Sequence, residues 1–599
     1  MIHSRQYVFI FLCYSFASLT IAEIRNKGWW KNAVFYQICP RSFKDSDLDG
    51  IGDLVGITNK LQYFVESGVT GIWLSSINKS PMKDFGYDIS DFRDIHPDYG
   101  TMEDFNEFIK RAKHLGLKVI LDLVPNHTSD QHEWFINSVK GDGKYADYYI
   151  WVNKNKENPP NNWLSVFGNS SWTYNEQRKA WYYHQFLSQQ PDLNYRNPEV
   201  VFEMQQIIEY WLNKGVDGFY IDAVPHLFEV SNIELNEPIN NATKASKNEY
   251  DYLKHIYTKD QEETYTLIHN WRNIVNSYTN IHNEEEKVIM TEAYTSLENT
   301  IKFYKYGSDV PFNFKFITDV NNKSSATDFK KTIDSWFKAM PNGSVANWVM
   351  GNHDRSRMAS RYPGRADQMT MLAMVLPGVA ITYYGEEIGM TNNEAITFKE
   401  TQDTQACAAG EEGFQKKSRD PYRTPFQWDK TTFAGFTKGK KSWLPINHDY
   451  TNLNLKDQQE NKNNESHYKI YTALMDLRNT MSVMKNGSYQ SMVIDKNILV
   501  ISRFNEHQLV TLVINFLDDK PQIVDLKVIA GKKSLNSTIV KVASVNSKVP
   551  INKAMVDHSV NVPAKASIVL YSTYSNASIN YNNYLLTILL LVSTIVFKL

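Results

Sequence analysis

Short apolar runs rich in β-branched residues recur along this chain with amphipathic, helix-length stretches between them, and that alternation restricts the fold more than any other feature. The runs are NAVFYQICPRSF (32–43), GVTGIWL (68–74), LKVILDLVPNH (117–127), GVDGFYIDAV (215–224), KVIMTEAY (287–294), VANWVMGNHD (345–354) and VAITYYGEEIG (379–389). Several are apolar over their whole length, as parallel strands covered on both faces must be. Segments such as 101–115 (TMEDFNEFIKRAKHL) and 199–214 supply the helices between them. Such alternation over most of a 599-residue chain predicts a closed (β/α)8 barrel of the TIM type.

Polar side chains stand where the apolar runs end: Asn126 and His127, Asp222, Glu292, His353 and Asp354. In a parallel barrel these are the C-terminal strand ends, the face on which sites are built. Any one of them alone is equally well a cap or turn residue. Carboxylates, histidines and amides recurring at several strand ends point instead to one shared polar pocket.

The barrel is expected to be interrupted. Residues 23–127 give its first part, and a polar, Trp-rich stretch, 128–190, is too long for a simple loop and predicts an inserted subdomain B over the mouth. Residues 191–485 resume the alternation. From 486 to 575 the pattern changes to short alternating strands, which predict a C-terminal antiparallel β domain.

The ends of the chain speak to its location. Residues 1–22 carry His3 and Arg5 before an apolar run and finish in small residues, the pattern of a secretory signal peptide. Residues 584–599 are strongly apolar but shorter than the roughly 20 residues of a spanning helix. They follow a short polar spacer and the small residues Ser575, Asn576, Ala577 and Ser578. Residues 576–599 therefore read as a GPI-anchor signal, with a short tail anchor as the other reading. Sequons at Asn169, Asn241, Asn342, Asn464, Asn486 and Asn536, among others, agree with secretion. With Cys13 removed in the signal segment, Cys39 and Cys407 remain, and the sequence leaves open whether they pair. A formal net charge of -2 with scattered Lys and Arg gives no footprint for nucleic acid.

Cleaving a glycosidic bond with retention requires two carboxyl groups about 5 to 5.5 Å apart, one ionised and one protonated. Asp222 and Glu292 end consecutive runs, a placement from which such a pair can form. His127, His353 and Asp354 are suited to hold sugar hydroxyls around it.

The motifs DLVPNHTS (122–129), QPDLN (190–194), GFYIDAVPH (218–226), TEAY (291–294) and GNHD (351–354) occur in that order. Together they resemble the α-amylase superfamily of glycoside hydrolases, and within it the insect maltases and sucrases of the oligo-1,6-glucosidase group. The resemblance implies an exo-acting, retaining α-glucosidase acting on maltose-type oligosaccharides or sucrose. It implies Asp222 as nucleophile, Glu292 as acid/base and Asp354 as the carboxylate that grips the sugar. It makes His127 and His353 hydroxyl ligands and Tyr87 the stacking floor. Asp84, in DFGYDISDF, and Arg423, in RTPFQW, would clamp the non-reducing end and close the pocket. Val224 matches relatives that prefer α-1,4 bonds or sucrose, although a barrel-packing valine is an equally ordinary reading.

A second constellation stands on its own residues. Asp45, Asp47, Asp49 and Asp53 alternate around Gly50 as at the start of an EF-hand loop. That spacing predicts a structural Ca2+ site rather than an acidic surface turn, and the resemblance adds the Ile51 carbonyl as a ligand.

One position departs from the family pattern. Where the family has an arginine two residues before the nucleophile, this chain has Tyr220, which donates one hydrogen bond and supplies no charge. The rival to the enzyme reading is therefore a silent surface scaffold on the same fold, like the heavy chains of amino-acid transporters. Retention of both carboxylates favours the enzyme.

Overall fold

The computed structural model describes residues 24–575, apart from 142, 462–464, 531–533, 553 and 555–558. The expected signal peptide and anchor signal lie outside the described residues. Among the described residues, no helix is long and apolar enough to cross a membrane.

Eight parallel strands form the barrel: β1 Val34–Ile38, β2 Gly71–Leu74, β3 Lys118–Leu123, β4 Gly218–Ile221, β5 Val288–Thr291, β6 Val310–Pro311, β7 Asn347–Val349 and β8 Val379–Tyr383. Their order is β6-β5-β4-β3-β2-β1-β8-β7. Between β6 and β7 no backbone ladder forms among the described residues. The side chain of Asn347 closes the seam, its Nδ2 donating to the Pro311 carbonyl (2.6 Å) and its Oδ1 accepting from Asn313 N (2.8 Å).

Seven of these strands lie inside the apolar runs read from the sequence. The eighth, β6, is two residues long and contains Pro311, so no periodicity could reveal it. The strands are buried on both faces because outward side chains such as Phe219 and Ile221 pack under the helices while Trp73, Ile120, Tyr220 and Met290 fill the barrel interior. Register places Tyr220 directly opposite Asp122 on β3 and Met290 on β5. Gly218 allows the close approach of β4 and β5, since a Cβ there would sit 2.2 Å from the Val288 carbonyl oxygen.

The helical layer includes α1 Met102–His114, α2 Pro198–Lys214, α3 Glu262–Ile281, α4 Leu297–Lys305, α5 Ala326–Ala339, α6 Ala366–Val375 and α7 His467–Thr480. A capping box formed by Thr101 and Asp104 starts α1. Asn197 caps α2, with Pro198 at its first position and Gly215 left-handed at its end.

Within residues 128–190, a small sheet runs Trp151–Val152, Ala180–Tyr183, Trp172–Asn175 around a cluster of Trp163, Trp172, Trp181 and Tyr183. At the other end, β9 Ser488–Ile494, β10 Ile498–Phe504, β11 Gln508–Asn515, β12 Ser534–Ala543 and β13 Ser567–Ser575 form an antiparallel sheet ordered β9-β10-β11-β13-β12. It packs on α6 and α7 through Leu499, Ile501, Val510 and Leu512. Cys39 and Cys407 are both free.

Candidate active site

The polar strand ends meet at one mouth. Asp222 and Glu292 follow β4 and β5 directly, and the ladder continues past them: Asp222 N donates to Leu123 O (2.9 Å), Glu292 N to Ile221 O (2.9 Å) and Val224 N to Glu292 O (3.2 Å). Ala223 takes a left-handed conformation, φ 51°, uncommon for a residue with a Cβ. That turn aims the Ala223 N–H at Glu292 Oε2 (3.1 Å). The two carboxyl groups are close, buried neighbours, each acting on the other's proton affinity.

Burial, followed by the neighbouring Glu292, pushes the Asp222 carboxyl well above the usual carboxylate range, and burial raises Glu292 as well. Two adjacent buried carboxyls cannot both ionise at neutral pH, so the pair holds one proton between them.

Asp354 behaves oppositely. Burial alone would raise it, but His353, Arg423 and Arg419 beside it outweigh burial and keep it well below the ordinary value. Arg423 donates to Asp354 Oδ1 (2.7 Å) and, through Nε, to the His353 carbonyl (2.7 Å). The site thus holds one permanently ionised carboxylate beside a proton-sharing pair.

His353 lies 5.3 Å from Tyr87, ring to ring and nearly parallel. Its Nδ1 meets Gln37 Nε2 (2.8 Å), and its Nε2 stands 3.2 Å from Asp354. Burial drives both His127 and His353 down to about 4, so each is neutral at pH 7. His127 Nε2 lies between the Tyr87 carbonyl (3.0 Å) and Gln190 Nε2 (3.1 Å), which ties it to the end of the inserted segment.

At the closed end of the pocket Asp84 pairs with Arg419 (2.6 Å), an arginine the sequence reading did not single out, and Arg423 with Asp354. Arg419 also donates to Asp403 through Nε (2.9 Å) and NH2 (3.0 Å), and Gln190 donates to Asp84 (3.1 Å). The reason is reach: Arg423 is committed to the β7 end. Arg419, four residues earlier in SRDPYRTPFQW, extends across the pocket over Phe85 and Phe167. Composition of that loop gave two arginines and no rule for choosing between them.

Where the family pattern puts a cation beside the attacking carboxylate, Tyr220 supplies a buried aromatic ring. Its ring lies 4.1 Å from Trp73 and 4.8 Å from Phe312, centroid to centroid. Opposite it, Asp122 accepts from Trp73 Nε1, from Tyr87 Oη (2.7 Å) and from Ser76 N (3.1 Å). Burial pushes Asp122 up to about 7 despite those three donors. Asp122 stands in the motif that ends in His127, yet only the strand register shows that it faces Tyr220.

In the acidic loop, Asp45, Asp47 and Asp49 bring one carboxylate oxygen each within 4.8 Å of one another. Asp53 turns away, accepting from Ser46 N and Oγ and from Gly56 N as the N-cap of the next helix.

Residues 37–487 match the family model for the alpha amylase catalytic domain. Maltase 1 of Drosophila virilis is 48% identical over 512 residues, 84% of this chain and 80% of that protein. An alpha-glucosidase of Apis mellifera is 44% identical over 503 residues, 83% of this chain and 87% of that protein. A solved alpha-glucosyl transfer enzyme, XgtA, superposes with a TM-score of 0.79 at 32% identity, covering 91% of this chain and 99% of that one. The chain belongs to the α-amylase family and is a glycoside hydrolase.

Proposed function

We propose that this protein is an exo-acting, retaining α-glucosidase that releases glucose from the non-reducing end of maltose-type oligosaccharides or sucrose. The observation that carries the reading is the adjacent, buried Asp222–Glu292 pair at the ends of β4 and β5, with the Asp84–Arg419 ion pair at the same mouth. The names of the relatives support the same substrate class.

The steps are those of a double displacement, with the one proton of the pair on Glu292. Asp222, ionised, attacks the anomeric carbon as the C–O bond breaks, and Glu292 gives its proton to the departing oxygen. A glucosyl ester on Asp222 results. Water then attacks the anomeric carbon, Glu292 takes its proton, and the ester bond breaks to free the Asp222 carboxylate. Asp354 keeps its charge throughout and accepts from sugar hydroxyls whose acidity grows with the oxocarbenium-like transition state. Neutral His127 and His353 complete the hydroxyl shell, and Tyr87 stacks under the sugar ring. Asp84 and Arg419 end the pocket after one glucose unit.

For Ca2+, the fit is the convergence of Asp45, Asp47 and Asp49, three hard oxygen donors of like charge that a divalent cation would hold together. When bound, the ion supplies charge neutralisation and rigidity to the loop and takes no part in the reaction. The chain is further read as secreted and held at the outer face of the plasma membrane by a GPI lipid.

The test is proton NMR of the purified protein with phenyl α-glucoside, whose only glucose comes from the cleaved position, beside maltose as the second substrate. Initial release of α-glucose from the phenyl glucoside supports the reading, initial β-glucose from it overturns retention, and absence of any glucose from either substrate at all pH values supports the silent scaffold instead.

A further inference from the structure

The turn that carries Asp84 into the pocket is built on an unfavourable backbone. Tyr87 N donates to the Asp84 carbonyl (2.9 Å), and the two residues between them, Phe85 and Gly86, are both left-handed, with φ 51° and 98°. Gly86 takes that conformation freely; a phenylalanine, with its Cβ, rarely does. Asp88 over-determines the turn, accepting from Asp84 N (2.9 Å), Lys83 N (3.0 Å) and Ser80 Oγ (2.9 Å). Glycine or asparagine would meet the backbone at 85 at lower cost, so the reason for a half-buried phenyl ring there lies in what the ring touches.

It touches both arginines of the closed end. The Arg423 guanidinium lies 4.5 Å from the ring centroid and that of Arg419 5.3 Å. Trp443 meets the Phe85 ring edge-on at 5.9 Å and is itself fixed, donating from N to the Gly50 carbonyl (2.9 Å) and from Nε1 to Ser42 Oγ (3.2 Å). The two guanidiniums carry like charge and share a carboxylate within reach. Arg419 Nη1 stands 3.6 Å from Asp354 Oδ1, the oxygen that Arg423 holds at 2.7 Å. An aromatic face attracts both cations and neutralises neither.

We propose that Phe85 is a positioning residue for the first sugar: its ring keeps Arg419 on Asp84 and Asp403 and Arg423 on Asp354, so that both carboxylates stay aimed at the hydroxyls of a bound glucose unit. The identity of that sugar rests on the glucosidase reading above. Without the ring, Arg419 is free to fall back on Asp354, and Asp84 loses its buried partner. The reacting pair, Asp222 and Glu292, stands on other strands and keeps its place. An interaction made with the sugar before and during the reaction alike is read in KM rather than in kcat.

The experiment uses the full protein, maltose kinetics, titration calorimetry with glucose, and thermal unfolding to set the assay below every melting point. Phe85→Leu keeps apolar bulk and removes the aromatic face. Phe85→Asn suits the left-handed turn and removes the ring, and Phe85→Tyr keeps the face. The leucine and asparagine variants are expected to raise maltose KM and weaken glucose binding about five- to tenfold, with kcat changed less than about twofold, while Phe85→Tyr retains the wild-type KM. Should leucine not be accommodated on this backbone, asparagine against tyrosine makes the same comparison. Wild-type KM and glucose affinity in Phe85→Leu overturn the proposal, because packing alone then suffices. A fall in kcat as large as the rise in KM overturns it too. A wild type that binds glucose yet releases none from maltose sinks the glucosidase reading alone; the glucose titrations then support the role of Phe85 at a five- to tenfold loss and overturn it at none.

Discussion

Replacing Tyr220 by arginine probes what the missing cation does. Tyr220 stands opposite Asp122 in register, and Asp122, with three neutral donors, is pushed by burial up to about 7 from 3.8. A guanidinium at 220 falls within the roughly 4 to 6 Å at which an opposite charge lowers a carboxyl pKa by about 1 to 3 units. At about 1.4 kcal/mol per unit, that is about 1.4 to 4 kcal/mol. Against it stands the loss of two aromatic contacts, with Trp73 and Phe312, at about 0.5 to 1.5 kcal/mol each.

The sign depends on pH. A carboxyl whose folded value is raised contributes stability that is fully present below 3.8 and is lost as pH rises through about 7. At pH 5 Asp122 is mostly protonated, so Tyr220→Arg loses the stacking, gains little and should melt several degrees below wild type. At pH 8 Asp122 is ionised, the new pair offsets the lost contacts, and the gap should narrow or close. Thermal unfolding of both proteins from pH 5 to 8 measures this. The acidic limb of the activity profile should also move down by about one unit, since Asp222 and Glu292 feel the same charge. A melting gap that is constant across the range would refute the argument, because only a charge at 220 makes the difference pH-dependent.

The remaining predictions concern the other parts of the molecule. Asp222→Ala should lower kcat by at least about four orders of magnitude, and Glu292→Gln should slow maltose far more than glucosides with acidic leaving groups, measured by steady-state kinetics. Arg419→Ala leaves Asp84 and Asp403 without their buried cation and should cost about 3 to 5 kcal/mol, read by denaturant unfolding, with a rise in maltose KM. Asp49→Asn should lower the melting temperature in calcium and remove its dependence on added calcium; an unchanged calcium response would dispose of the metal site. If a GPI lipid holds the protein, phosphatidylinositol-specific phospholipase should release it from intact cells, and activity that stays in the membrane after complete digestion would favour a tail anchor.

The barrel was legible because its strands are buried on both faces, so the core demand is written as continuous apolar runs. The short strand β6 escaped for the same reason in reverse: two residues hold no pattern, and Asn347 rather than a backbone ladder ties it to β7. The alternating strands after residue 486 could be read because one face of each packs on α6 and α7.

The site was legible only as far as each residue stands at a strand end. Asp222, Glu292, His127, His353 and Asp354 do, and the barrel makes such ends converge whatever lies between them in sequence. Pairing across the pocket is a different kind of information. Arg419 and Arg423 lie in one loop with the same chemistry and both lie over Phe85, so which of them meets Asp84 is visible only in the folded chain. Tyr220 shows the same limit more sharply. Its identity announced a lost cation beside the nucleophile, and only the structure shows that its ring packs on Trp73 and Phe312. Asp122 is its neighbour in the barrel, and only the register of β3 and β4 reveals that position, beside Trp73 and Tyr87, whose side chains donate to it. A charge placed at 220 therefore acts on the residue beside it in the barrel as well as on the residue two places along the chain.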